Sequence, residues 1–163
     1  MSTGRIYTVP WTGTITNAGG NTDLWEISPA DDLPCKIRGF RLGQTSELGD
    51  TAEESLRITI RRFRATVTSG SGGATGAPEE VGRSNQTASF ASETNNTTVA
   101  TTTGDNEVVE EIAWNIRNSP FEIWYPDPRF SPAAVQGEAL LIRCESTVTD
   151  DLTFAGTLWV EEG

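Results

Sequence analysis

The chain has 163 residues, 23 acidic against 12 basic side chains, a formal net charge of −11 and no histidine. That length suits one domain, residues 1–163, with a folded surface of roughly 8,000 Å² and a core that needs no disulfide or metal. The charge repels nucleic acid, and the missing histidine excludes Ser-His-Asp and Cys-His nucleophiles and the commonest base and metal ligand.

Residues 5–16 carry Ile6, Tyr7, Val9, Trp11 and Ile15, with a break expected at Pro10. This stretch reads equally as a first strand or, over 1–16, as an N-terminal arm that adheres to a partner. A turn at 18–21 precedes a short strand, 24–27, ended by Ser28-Pro29. Residues 31–34 form another turn. In Cys35-Lys-Ile-Arg-Gly-Phe-Arg-Leu42 the inward parity changes at Gly39, the mark of a β-bulge. A polar connection over 43–54 follows, in which Thr51-Ala-Glu-Glu54 suits one capped helical turn. Residues 55–64 give the clearest strand: Leu56, Ile58 and Ile60 alternate with Arg57, Thr59 and Arg61, and a second parity slip is expected at Arg62.

Residues 68–104 read as a long flexible excursion, because the run 68–78 is rich in glycine and serine and the remainder in threonine, serine and asparagine. In 107–117, Ile112, Trp114 and Ile116 alternate, while Val108, Val109 and Ile112 also admit a helical start. Phe121, Ile123 and Tyr125 make a further strand. The last two strands, 139–145 and 152–162, are separated by 146–151, the length of a hairpin connection. With 23 threonines, about eight strands and no long helix, the expected fold is all-β: an antiparallel β-sandwich of jelly-roll type.

No run approaches the ~20 apolar residues of a membrane span, and the start lacks the apolar core of a secretion signal, so synthesis in the cytoplasm and no membrane partner are expected. By parity Cys35 and Cys144 point inward, as buried free thiols rather than a disulfide. The three Asn-x-Thr triplets, at Asn85, Asn95 and Asn96, carry no weight without a secretory route. No phosphate-binding glycine motif is present, and no cofactor is expected. Carboxylates come as neighbours (Asp31-Asp32, Glu110-Glu111, Glu161-Glu162), which point to opposite faces of a strand and do not converge on one ion. Catalytic and metal sites are therefore not expected. Arg57 and Arg61 either pair with glutamates across the sheet or form a stripe that docks an acidic partner. Trp124 and Trp159 fall on the parity opposite their apolar neighbours, the placement of a sugar platform, although tryptophan between sheets or at a subunit contact is commoner.

Several runs are familiar together: Ile27-Ser-Pro-Ala-Asp-Asp-Leu-Pro-Cys-Lys-Ile-Arg-Gly-Phe-Arg-Leu42, Glu54-Ser-Leu-Arg-Ile58, Glu93-Thr-Asn-Asn-Thr-Thr98, Trp114-Asn-Ile-Arg117 and Leu152-Thr-Phe-Ala-Gly-Thr-Leu-Trp-Val-Glu-Glu162. The chain resembles small structural proteins of tailed-bacteriophage and prophage virions over most of its length. The resemblance implies a virion component, and within that group a capsid decoration (cement) protein is the expectation. Its partners would be the major capsid protein and itself, as a homotrimer on the capsid exterior. The contact residues would be Ile6, Tyr7, Val9 and Trp11 of the arm, Arg57 and Arg61, and the 68–104 excursion. The other readings are a head–tail junction or tail component, a glycan-binding (receptor-binding) module, and, more distantly, a histidine-free glycosidase.

Overall fold

The computed structural model describes residues 4–17, 19–45, 53–82, 86–118 and 120–163. Its strands are β1 (Arg5–Ile15), β2 (Thr22–Ser28), β3 (Cys35–Gln44), β4 (Ser55–Phe63), β5 (Val67–Thr68), β6 (Ala74–Thr75), β7 (Glu79–Glu80), β8 (Ala91–Asn96), β9 (Thr101–Thr102), β10 (Asn106–Asn115), β11 (Phe121–Trp124), β12 (Ala133–Ala134), β13 (Ala139–Cys144) and β14 (Leu152–Glu162). No helix among the described residues is long and apolar enough to cross a membrane.

Two antiparallel sheets face each other. The first has the order β11-β3-β14-β1-β7, with β12 also on β3, and the second has the order β10-β4-β13-β2-β8-β6. Taking the eight principal strands in chain order (β1, β2, β3, β4, β10, β11, β13, β14), the sheets read 6-3-8-1 and 5-4-7-2, which is the jelly-roll arrangement. Period-two alternation explains the core. Tyr7, Val9 and Trp11 from β1, Leu158 and Val160 from β14, and Ile58 and Ile60 from β4 all turn into one cluster between the sheets. The accessible surface, 8289 Å², matches the value expected from mass alone. Cys35 and Cys144 are free and buried in that cluster, where burial pushes the Cys35 thiol up to about 12.

Several expectations are corrected. Residues 5–15 are not an arm, because β1 pairs with β14 along its whole length from Arg5↔Glu162 to Ile15↔Leu152. Pro10 does not break the strand. On its other side β1 is paired by β7 only at Tyr7 and Thr8, so beyond them it is an edge that tolerates proline. Arg62 marks no slip, since β4 pairs with β13 without interruption from Ile58↔Cys144 to Phe63↔Ala139. Phe63 instead faces outward, into a small second cluster with Ala100, Leu141 and Val67. The helical option at 107 gives way to strand, with a bulge between Val108 and Glu110 that accounts for its uneven spacing. The connection 146–151 joins strands of different sheets rather than a hairpin, and Val148, 2% exposed, plugs it into the core. Thr51 and Ala52 of the capped turn, and Asn85, lie outside the described residues.

Over its described residues, 68–82 and 86–104, the excursion is not a loose loop. β8 joins the second sheet beside β2, and β6 adds to β8. The glycines allow close approach rather than mobility: a Cβ on Gly73 would lie 2.0 Å from the Thr94 carbonyl oxygen, and one on Gly76 2.3 Å from the Ser92 hydroxyl. Glu162 holds the segment from below by accepting the Ser89 and Phe90 amides at 2.9 and 3.0 Å. Through Ser69, Gly70 and Ala100, which bond Glu26, Asp23 and Arg143, the excursion roofs the outer face of the second sheet, and among the described residues the outer face of the first sheet stays open.

Candidate functional site

That open face is built by parity. With Tyr7, Val9, Cys35, Ile37, Leu158 and Val160 in the core, their neighbours Ile6, Thr8, Lys36, Trp159 and Glu161 point outward. The bulge expected at Gly39 is present, where the register shifts between Trp159 and Val160, and it leaves Arg38 and Arg41 both on the outside. Gly39 sits in one cross-strand row between Trp124 and Trp159. A Cβ there would lie 2.4 Å from the Ile123 carbonyl oxygen and 2.9 Å from the Trp124 ring. The two indoles close over this gap, with centroids 4.5 Å apart and planes at 49°.

Beside them Ile6, Val81, Tyr125 and Pro126 complete a cleft of about 310 Å³, with Arg38 at its edge. The polar groups around it are tied in pairs. Arg41 Nε donates to Glu122 at 2.7 Å, and Trp124 Nε1 donates to the other oxygen of Glu122 at 2.5 Å. These two bonds hold the Glu122 carboxyl below its usual range. Arg38 donates to Glu161 and to the Pro126 carbonyl, each at 3.1 Å. The Arg41 guanidinium stands 5.8 Å from the Trp159 ring centroid. The same row continues from Trp159 to Thr8 and Glu79. Among the described residues this face therefore sets Lys36, Arg38 and Arg41 against Glu79, Glu122 and Glu161, and it is neutral on a chain of net charge −11.

A second apolar feature lies on the 126–136 connection. Arg129 clasps the Asp127 carboxylate at 2.6 Å and the Phe130 amide donates to the Asp127 carbonyl at 3.0 Å, which leaves Phe130 73% exposed. Val135, also exposed, borders a hollow of about 370 Å³ with Asp32, Leu33, Pro34 and Gln136.

The outer face of the second sheet is charged and mostly roofed. Arg57 forks onto Glu111 at 2.8 and 2.6 Å, and Arg61 bonds Glu145 at 2.7 Å and Asn106 at 2.8 Å. Burial raises the Glu145 carboxyl, but the Thr59 hydroxyl and Arg61 outweigh it and hold the group low. Under the roof, Glu26 is 2% exposed and accepts from Ser69 Oγ at 2.8 Å, the Gly70 amide at 3.0 Å and Asn96 Nδ2 at 3.2 Å. Glu93 stands directly across from it in register. Burial pushes the Glu26 carboxyl up, so the folded state binds its proton more tightly than the unfolded chain does. Stability from this group is full at acid pH and falls as pH rises through the raised value. Glu26→Gln keeps the three bonds, because the Ser69 hydroxyl can turn to accept. Urea titrations from pH 4 to 8 should show the variant gaining on the wild type as pH rises; a constant difference would contradict this.

Of the residues singled out in the sequence, Tyr7, Val9 and Trp11 are buried and cannot meet a partner, whereas Ile6 is 38% exposed and lines the cleft. Arg57 and Arg61 take the glutamate-paired option rather than forming a free stripe. Trp124, 45% exposed, and Trp159 lie on the outward parity read from the sequence, and the fold brings the two together. Val81, Phe130 and Val135 were missed. Phe130 alone carried a signal, an aromatic flanked by Pro128 and Pro132. Comparison with protein-family models, curated proteins and solved structures finds no match for the chain.

Proposed function

We propose that the chain is a structural protein of a tailed-phage virion, a capsid decoration protein that clamps neighbouring major capsid protein subunits from outside the shell. The observation that carries this reading is the placement of exposed apolar side chains on a rigid, solidly packed jelly roll. Phe130 and Val135 project from a braced connection, and they are of the kind that anchor protein interfaces. The resemblance of the sequence to phage structural proteins supports the virion setting. The charge of −11 supports the outside station, since packaged DNA would repel it from the inner wall. A single small contact barely offsets the ~4–15 kcal/mol cost of association, so a homotrimer that links three contacts is the form expected.

The test is sedimentation of purified protein with empty phage shells. Saturable binding over the whole shell, by a species of trimer mass in light scattering, is the expected result. Phe130→Asp with Val135→Asp should weaken it by about tenfold or more without changing the unfolding midpoint. Density confined to one vertex would mean a head–tail junction component instead, and no association with shells would refute the capsid decoration reading.

A further inference from the structure

The cleft over Gly39 has properties that shell adhesion does not require. Its floor and walls are Trp124, Trp159, Ile6 and Val81, its edge carries Arg38, fixed in direction by its bonds to Glu161 and the Pro126 carbonyl, and the Arg41–Glu122–Trp124 bonds hold the Trp124 indole from outside the cleft. We propose that this cleft is a binding site for a neutral saccharide, with the exposed indole of Trp124 as the stacking surface.

The chemistry of the occupant follows from three features. Aromatic faces suit the C–H faces of a pyranose, whose hydroxyls project sideways and need donors and acceptors at the rim. Arg38, the one cation among the described residues that line the cleft, is engaged by Glu161, and Arg41 behind the indoles by Glu122, so the cleft does not offer a free cation to a phosphate, sulfate or carboxylate ligand. The whole face balances three cations against three carboxylates among its described residues, in a chain whose net charge of −11 makes the average surface hostile to anions. Charge complementarity thus selects an uncharged ligand. It also selects one that is partly polar, because a wholly apolar occupant would cover the Arg38–Glu161 pair at the edge without bonding it. The volume, about 310 Å³, is at the small end of ligand sites and fits a short saccharide.

Trp124 is the specificity-determining residue. Gly39 beneath it leaves room for the two indoles to meet at 4.5 Å, and the bond from its Nε1 to Glu122 fixes its orientation. The site is independent of how the chain meets a shell, and free protein should bind.

The experiment titrates the free protein, by calorimetry and tryptophan fluorescence, with neutral hexasaccharides of glucose, mannose, galactose and N-acetylglucosamine. Polysialic acid and a proline-rich peptide are included as competing classes. The expected result is saturable one-to-one binding of at least one neutral series at concentrations up to about 10 mM. Trp124→Ala should weaken it by about tenfold or more, and Trp124→Phe by about threefold or less, because stacking survives. Val81→Arg, at a 60%-exposed position, fills the mouth of the cleft and should also abolish binding; it stands in if Trp124→Ala fails to fold. No neutral saccharide bound, binding that survives both Trp124→Ala and Val81→Arg, or capture of polysialic acid or the peptide alone would each overturn the assignment. None of these outcomes touches sedimentation with shells, so the two readings fail separately.

Discussion

Arg143→Ala lowers the stability of the fold by about 3–5 kcal/mol, the cost of leaving a buried charge without its partner. Arg143 Nε and Nη2 reach the two oxygens of Asp23 at 2.6 and 3.1 Å, and Nη2 also donates to the Ala100 carbonyl at 2.9 Å. Asp23, 0% exposed, accepts the Ala100 amide at 2.7 Å, and the guanidinium lies 5.4 Å from the Phe63 ring centroid. This cluster fastens the roof, through Ala100, to β2 and β13. Losing the arginine therefore strands the Asp23 carboxylate and unpins residues 98–102 together. Urea unfolding measures the first effect, and faster hydrogen exchange at the Ala100 amide measures the second. Asp23→Asn combined with Arg143→Met should recover most of the stability, since an uncharged pair has no buried charge to strand. A loss below about 1 kcal/mol for Arg143→Ala would mean that water reaches the pair and the roof is loose.

Trp25→Ala is expected to cost as much, about 3–5 kcal/mol, for a different reason. Trp25 is 0% exposed at the centre of β2, with Trp11 and Phe40 against its ring at centroid distances of 5.7 and 6.0 Å. It joins the two sheets directly, because its Nε1 donates 3.0 Å to the Val9 carbonyl of β1. The first sheet makes room for it at Gly156, where a Cβ would lie 2.7 Å from the tip of the indole. Alanine would lose the packed volume and leave the Val9 carbonyl without its donor. Trp25→Phe keeps most of the volume and should cost about half as much, so the difference between the two variants separates cavity from hydrogen bond. Chemical unfolding followed by far-ultraviolet dichroism gives both values. Equal losses would mean that the bond to Val9 dominates.

The two clusters show why the outer surfaces were harder to read than the core. In β4, alternation assigns Leu56, Ile58 and Ile60 to the interior because one face is dry and the other polar, and period two tells them apart. β2 defeats the same reasoning: residues 22–27 are all buried, its inner side under the first sheet and its outer side under the excursion. A strand covered on both faces loses alternation, and buried Asp23 and Glu26 look in sequence like a wet face. The glycine-rich run was misread for a related reason. Composition reports that these residues can move freely in isolation, but not that a neighbouring carbonyl 2.0 Å from a would-be Cβ makes glycine the residue that fits.

What the sequence by itself determined is local: strand positions, inward parity, the bulge at Gly39, the burial of both thiols and hence an antiparallel sandwich. These follow from backbone geometry and side-chain polarity within a few residues, which any short window contains. The tertiary structure alone decided that β1 is a strand and not an arm, that the 68–104 segment is a roof, and that Ile6, Val81, Trp124 and Trp159 meet in one cleft. Those outcomes depend on pairings between residues up to 150 or so positions apart, such as Ile6 with Glu161, where partner choice rests on shape and register that no local pattern encodes.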